Sequence, residues 1–246
     1  MAIPQKIRLQ RMIALSTELS RRAAEEAIAR GEVTVNGEVA SELGTKVDPF
    51  NDRVCLNNKP IRISSQRRYI AFFKPRGELV TKSDPQGRKT IWEHFEELKG
   101  SLNSVGRLDF DSEGLLFLTD DGDFLNRLTH PRHEIWKTYH VRVKGEPPAD
   151  ALARLKDGVK LSDGKTLPSR VRRIDKGGPN ALLEISIREG RNRQVRRMCD
   201  AIGSPVIRLR RVSIGPVKLG QLKPGAWRFL RGEEVQQLIR ESSHSR

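Results

Sequence analysis

"GRLDFDSEGLLFLTDDG", residues 106–122, gathers five carboxylates around an apolar run in a chain whose formal net charge is +15. The run "LLFLT", 115–119, has the length and apolar density of a buried strand. "GRLDFDSEG" is then the loop that enters it. Three readings of that loop compete. Asp109, Asp111 and Glu113 can form a turn rich in side-chain-to-backbone hydrogen bonds, with no chemistry. Asp109 and Asp111 can hold magnesium, because hard cations take carboxylate oxygens. One aspartate can instead be a lone catalytic group, paired with an arginine and facing an RNA backbone. Nearby arginines would keep it ionised at neutral pH. Spacing alone leaves all three open.

Around this strand lie others. "YIAFF", "YHVRV", "ALLEISIR" and "PVIRLRRVSI" are strand candidates, several with period-two alternation. "DALARLKDGV", "NRQVRRMCDAIG" and "EEVQQLIRE" are helix candidates. Strands outnumber helices and do not alternate with them. The expected fold class is α+β, with a mixed, mostly antiparallel sheet rather than a doubly wound one. There is no internal repeat and no low-complexity segment.

The 246 residues are enough for two modest domains with real cores. The chain is 36% hydrophobic and 31% charged, which reads as soluble and globular. No apolar run approaches the roughly 18–20 residues of a membrane span, and "MAIPQKIRLQ" lacks the apolar core of a signal peptide. Cys55 and Cys199 are far apart and without metal-ligand spacing, which suits free thiols in a reducing cytoplasm and argues against a zinc site. The basic balance makes a polyanion the expected partner, without choosing among DNA, RNA and a membrane surface.

Residues 5–62 read as a separate module. "IRLQRMIALS" has roughly helical apolar spacing. "SRRAAEEAIARG" opens on Ser20, a good N-cap, and closes on Gly31, a good residue just past a helix end. "VTVNGEV" reads as a hairpin turning at Asn36–Gly37. Arg8, Arg11, Arg21, Arg22 and Arg30 decorate the helix pair, either as a solvated face or as an RNA contact. Residues 63–68 are polar and read as a linker to a second domain, 69–240.

In "EGRNRQVRRMCDAIG", 189–203, Val195, Met198, Cys199 and Ile202 make a core-facing helical stripe. Arg191 and Arg193 stand at its start, with Arg196 and Arg197 off the stripe. Cations at a helix N-terminus run against the dipole, unless an anion binds there. The other reading is a basic surface helix.

"GRLDFDSEGLLFLTDDG" closely resembles the catalytic segment of the pseudouridine synthases, in the branch typified by RsuA and RluB. "FFKPRGELVT", 72–81, is similar to that family's first motif, "KTYHVRV", 137–143, to its base-stacking motif, and "EGRNRQVRRM" to its third. These occur in family order, across about residues 68–235. Residues 5–62 resemble the small RNA-binding module first recognised in ribosomal protein S-four. The resemblance implies that Asp109 is the essential aspartate. It implies that Arg107 helps extrude the uridine, that Tyr139 stacks on the target base and that Arg196 pairs with the aspartate. RNA phosphates would fall to Arg8, Arg11, Arg21, Arg22, Arg191, Arg193 and Arg197, and Lys74 would be architectural. Glu113 departs from the small or polar residues usual at its position.

A flipped base needs an aromatic floor, and the space it leaves needs a filler. The isomerisation moves no hydride, so no cofactor and no metal are expected, in keeping with the lack of a dinucleotide fingerprint or P-loop. The expected protein is a cytoplasmic monomer acting on ribosomal RNA or a ribosomal subunit precursor, of the large subunit, with the small subunit as the alternative. Its rivals are a non-catalytic ribosome-assembly factor and a metal-dependent nuclease.

Overall fold

A computed structural model describes residues 6–17, 19–63, 67–98, 102–175 and 178–244. Residues 64–66, the centre of the expected linker, lie outside them. The chain divides into two compact units, Met1–Arg68 with Glu97–Asn103, and Tyr69–Glu96 with Ser104–Arg246. Among the described residues no helix is long and apolar enough to cross a membrane.

The first unit pairs α1 (Leu9–Ser16) with α2 (Arg21–Ala29) over a four-stranded sheet that includes β1 (Val33–Val35), β2 (Glu38–Val39) and β3 (Val54–Leu56). The helix start is where the sequence placed it: the Ser20 hydroxyl accepts from the Ala23 N–H at 3.1 Å. Asn36 and Gly37 sit at φ 53° and 95°, the pair of left-handed residues that a tight hairpin with the right twist requires. Leu9, Met12, Ile13, Ala24, Ala27, Ile28, Val33 and Val54 close the core. Burying that stripe turns the polar faces outward. Arg8, Arg21 and Arg22 are exposed and make no side-chain hydrogen bond or ion pair among the described residues. Arg30 is tied to Glu32.

The second unit is built on one large sheet. Its strands are β4 (Tyr69–Lys74), β5 (Glu113–Thr119), β6 (Lys137–Val143), β7 (Arg170–Arg173), β8 (Leu182–Ile187), β9 (Val206–Ile214) and β10 (Trp227–Phe229). They lie in the order β7-β8-β6-β9-β5-β4-β10. Only the β5–β9 junction on this path is parallel, with Arg210 beside Glu113 and Arg211 beside Gly114. The others are antiparallel, as the irregular alternation of elements implied. β5 is buried along its whole length, which is why it reads as a continuous apolar run.

Helices α3 (Gly122–Thr129) and α6 (Gly232–His244) cover one face, where Phe73, Leu115, Phe117, Phe124, Leu128 and Leu238 pack together. α4 (Ala149–Asp157) and α5 (Gln194–Asp200) complete the unit. Sequence reasoning missed α3. Its N-cap is Asp121, whose carboxylate accepts from the N–H groups of Asp123 and Phe124 at 2.9 and 3.1 Å, and from the Tyr69 hydroxyl at 2.8 Å. One of the five carboxylates is thereby a helix cap. α5 is shorter than the 192–203 expected, because Arg193 takes a left-handed conformation, φ 46°, and halts the helix before it.

Candidate active site

The loop Arg107–Ser112 is fastened from four directions. The Gly77 N–H donates to the Phe110 carbonyl at 2.7 Å, and the Ser112 N–H to the Asp109 carbonyl at 3.1 Å. The Lys74 ammonium, with no exposed surface, donates to the Ser112 and Pro75 carbonyls, both at 2.8 Å. Arg196 donates to the Asp111 carbonyl at 3.1 Å and the Ser112 hydroxyl at 3.2 Å, and Arg211 reaches the Arg107 carbonyl at 3.5 Å. Burial lowers the Lys74 pKa to about 8, even though Glu78, Asp109 and Asp111 pull it upward. So Lys74 serves as a buried clamp on the acidic loop.

The carboxylates of this loop differ in how they are held. Asp111 meets Arg193 at 3.3 Å and Arg196 at 3.1 Å. Its partial burial favours the neutral acid, but the Arg193 hydrogen bond and the charges of Arg196 and Arg193 outweigh that and hold its pKa below the usual range. Glu113 is clasped by Arg208 at 2.9 Å and Arg210 at 2.7 Å, and again the two guanidinium groups overcome the burial. Among the described residues Asp109 has a single loose ion pair, to Arg193 at 3.7 Å, and 30% of its side chain is exposed.

This geometry corrects the expected pairing. Arg196 makes its ion pair with Asp111, and the contact to Asp109 falls to Arg193. The reason is the left-handed turn at Arg193, which brings that residue's side chain to the loop from just outside the helix. Arg196 is 7% exposed and its charge still acts on Asp109 across space.

Tyr139 lies on β6, 8% exposed, directly opposite Arg211 on β9. Arg211 donates to the Leu115 carbonyl at 2.7 Å and to the Arg107 carbonyl. Tyr139 and the loop that carries Arg107 and Asp109, distant in sequence, therefore meet at one buried arginine that sequence reasoning did not single out. The Arg107 side chain is exposed and has no partner among the described residues. Among the described residues no three His, Cys, Asp or Glu side chains gather as a metal site. Asp111, one of the two candidate ligands, already faces two cations.

The model for the family of RNA pseudouridylate synthases matches residues 68–201, more than half of the chain. The chain belongs to the RNA pseudouridine synthases. It is thus an isomerase, and its first unit matches the S4 domain over residues 7–54. The synthase is 41% identical to the ribosomal large subunit pseudouridine synthase B of Bacillus subtilis, over 97% of this chain and 98% of that one. It is 42% identical to an RNA pseudouridine synthase of Aquifex aeolicus, over 96% and 94% of the two chains. A crystal structure of a pseudouridylate synthase superposes with a TM-score of 0.69 at 32% identity, covering 94% of this chain and 99% of that chain.

Three of the arginines assigned to RNA hold other parts of the synthase. Arg191 donates to Glu189, to Asp163 and to the carbonyls of Gly164 and Lys165, which staples the hairpin at 160–165. Arg197 binds Asp163 at 2.9 Å, and Arg193 joins the acidic loop. The anions that draw cations to the start of α5 are the chain's own carboxylates. Just ahead of α5 the Arg191 N–H donates to the Gln194 side chain, and the Gln194 N–H donates to the Arg191 carbonyl.

Proposed function

We propose that the synthase converts a uridine of large-subunit ribosomal RNA to pseudouridine, with Asp109 as its catalytic carboxylate. One contrast carries the assignment. Asp111 and Glu113 are each gripped by two arginines, while Asp109 keeps a partly exposed carboxylate against one loose cation. A group that must reach the sugar cannot be locked in two guanidinium forks. The large-subunit target rests on the name of the Bacillus subtilis relative, which aligns along nearly the whole chain.

The reaction breaks the bond from N1 of uracil to the anomeric carbon and makes one from C5. The C5 proton departs and N1 is protonated, so nothing is oxidised. Asp109 acts at the sugar, as nucleophile at the anomeric carbon or as base at its neighbour. Tyr139 supports the detached base and Arg107 fills the space it leaves. A map of pseudouridine in ribosomal RNA from cells lacking the protein, made by chemical tagging and sequencing, tests the target. Loss of one large-subunit site is expected; an unchanged map would count against the target.

Tyr139 acts through its ring. Tyr139→Phe should retain most tritium release from RNA carrying uracil labelled at C5, while Tyr139→Ala should lose roughly 5- to 150-fold, the value of about 1–3 kcal/mol of stacking. Equal damage from both would make the hydroxyl the working group. The first unit supplies affinity. Arg21→Ala with Arg22→Ala should weaken RNA binding and flatten its log–log salt slope by about 1.4–1.8, the release of counterions from two phosphates. The rate at saturating RNA should stay at the parent value. An unaltered salt slope would remove α2 from the RNA contact.

A further inference from the structure

Most charges around the acidic loop are matched: Arg193 and Arg196 by Asp111, Arg208 and Arg210 by Glu113, Lys74 by two carbonyls. One pair is not. Lys137 and Tyr139 stand two residues apart on β6, so their side chains share a face, and Tyr139 is opposite Arg211. Arg211 is 5% exposed; its Nε and Nη1 bind the Leu115 and Arg107 carbonyls, while Nη2 is buried with no hydrogen-bond partner among the described residues. Lys137 has no ion pair or side-chain hydrogen bond among the described residues. Burial, and after it the Arg211 charge, lower its pKa to about 8, with no carboxylate opposing them. Two neighbouring cations withdrawn from water without a counter-charge weaken the fold. Such an arrangement persists where an anion arrives from outside.

We propose that Lys137 and Arg211 form a cationic subsite for the carbonyl oxygens of the target uracil, which holds the negative charge of the base while it is detached. The site rests on the proposed function, since Tyr139 must be the floor on which that base lies. The same adjacency selects the base over the RNA backbone. A group on the face of Tyr139, beside a residue 5% exposed, is placed to meet a base lying on that ring rather than phosphates held by exposed side chains. When the glycosidic bond breaks toward uracil, its electron pair passes into the ring and spreads over the two carbonyl oxygens. Forming the bond from C5 returns that pair to the sugar carbon; the C5 proton is then lost and N1 gains one, so no further reagent is needed. Neutral uracil gains less from the two cations than the detached anion does. The subsite therefore lowers the barrier more than it raises substrate affinity.

The experiment uses the full chain with Lys137→Met and Lys137→Arg. Tritium release is measured in single turnover at saturating ribosomal RNA, beside the RNA Kd, its salt slope and the urea midpoint. Lys137→Met should slow release by about a hundredfold. Kd and salt slope should stay within about twofold of the parent, and the midpoint should hold or rise because a buried charge is gone. Lys137→Arg should restore most of the rate. A weaker Kd and a flatter salt slope at an unchanged saturated rate would mean a phosphate contact and overturn the subsite. So would a parent-like rate in Lys137→Met, or a loss of rate and midpoint together that arginine does not rescue. A parent enzyme that releases no tritium from ribosomal RNA overturns the proposed function itself, whereas release unaffected by Lys137→Met overturns the subsite alone.

Discussion

Asp109→Asn is expected to abolish tritium release, by about 10⁴-fold or more, while RNA binding stays at the parent level or tightens slightly. The amide keeps the size of the side chain and removes only its charge. Removing a negative charge cannot weaken Coulomb attraction to phosphates, so affinity is spared. Asp111→Asn has a different cost. It leaves Arg196, 7% exposed, without its counter-ion, and should destabilise the loop by about 1–3 kcal/mol. Its activity should fall only as far as the loop loosens. A metal-dependent nuclease would instead lose activity with either aspartate. Parent-like tritium release from a folded Asp109→Asn enzyme would falsify the catalytic assignment.

The largest loss of stability from one methyl group is expected at Gly114. It sits at φ +112°, a conformation L side chains rarely adopt, and an added Cβ would lie 2.2 Å from the Arg211 carbonyl oxygen and 2.7 Å from its nitrogen. Both obstacles are backbone of the parallel partner strand and cannot rotate away. Gly114→Ala must therefore part β5 from β9, at a cost of about 3 kcal/mol or more in urea unfolding. It would also pull Arg211 from the Leu115 and Arg107 carbonyls, so the folded fraction should lose activity too. A change under about 1 kcal/mol would show that the strands can separate there without consequence.

Much of this fold is legible in the sequence because the strands carry their own pattern. β5 is an unbroken apolar run and β8 alternates, and both form as expected. Ser20, Gly31 and Asn36–Gly37 mark their elements through local backbone chemistry. α3 escaped because its cap and first turn, Asp121 to Asp123, have the composition of a loop. The stripe of α5 was found, with Val195, Met198 and Cys199 buried, but not the left-handed residue that shortens it. The choice of partners was illegible. Which arginine meets which carboxylate depends on strands and loops that meet across 82 to 97 positions, and no local spacing records it. Arg211 and Lys137 were overlooked for the same reason: in a chain of 46 lysines and arginines, only burial distinguishes them.

The single parallel junction also sets a timetable. Parallel strands cannot be joined by a hairpin, and here the contact from Glu113 to Arg210 spans 97 residues. Closing so long a loop loses chain entropy before any pairing repays it, which makes this a slow, late step in folding. On the ribosome, the segment from Arg193 through β9 emerges long after the loop that carries Asp109. Until then the Asp109 carboxylate has no Arg193, Arg196 is not there to brace the loop, and Arg211 is not there to bind the Arg107 carbonyl. A nascent chain can thus complete its first unit, with Arg8, Arg21 and Arg22 exposed, while the loop downstream is still unassembled. The newborn protein acquires a grip on RNA before it acquires a chemistry to perform on it.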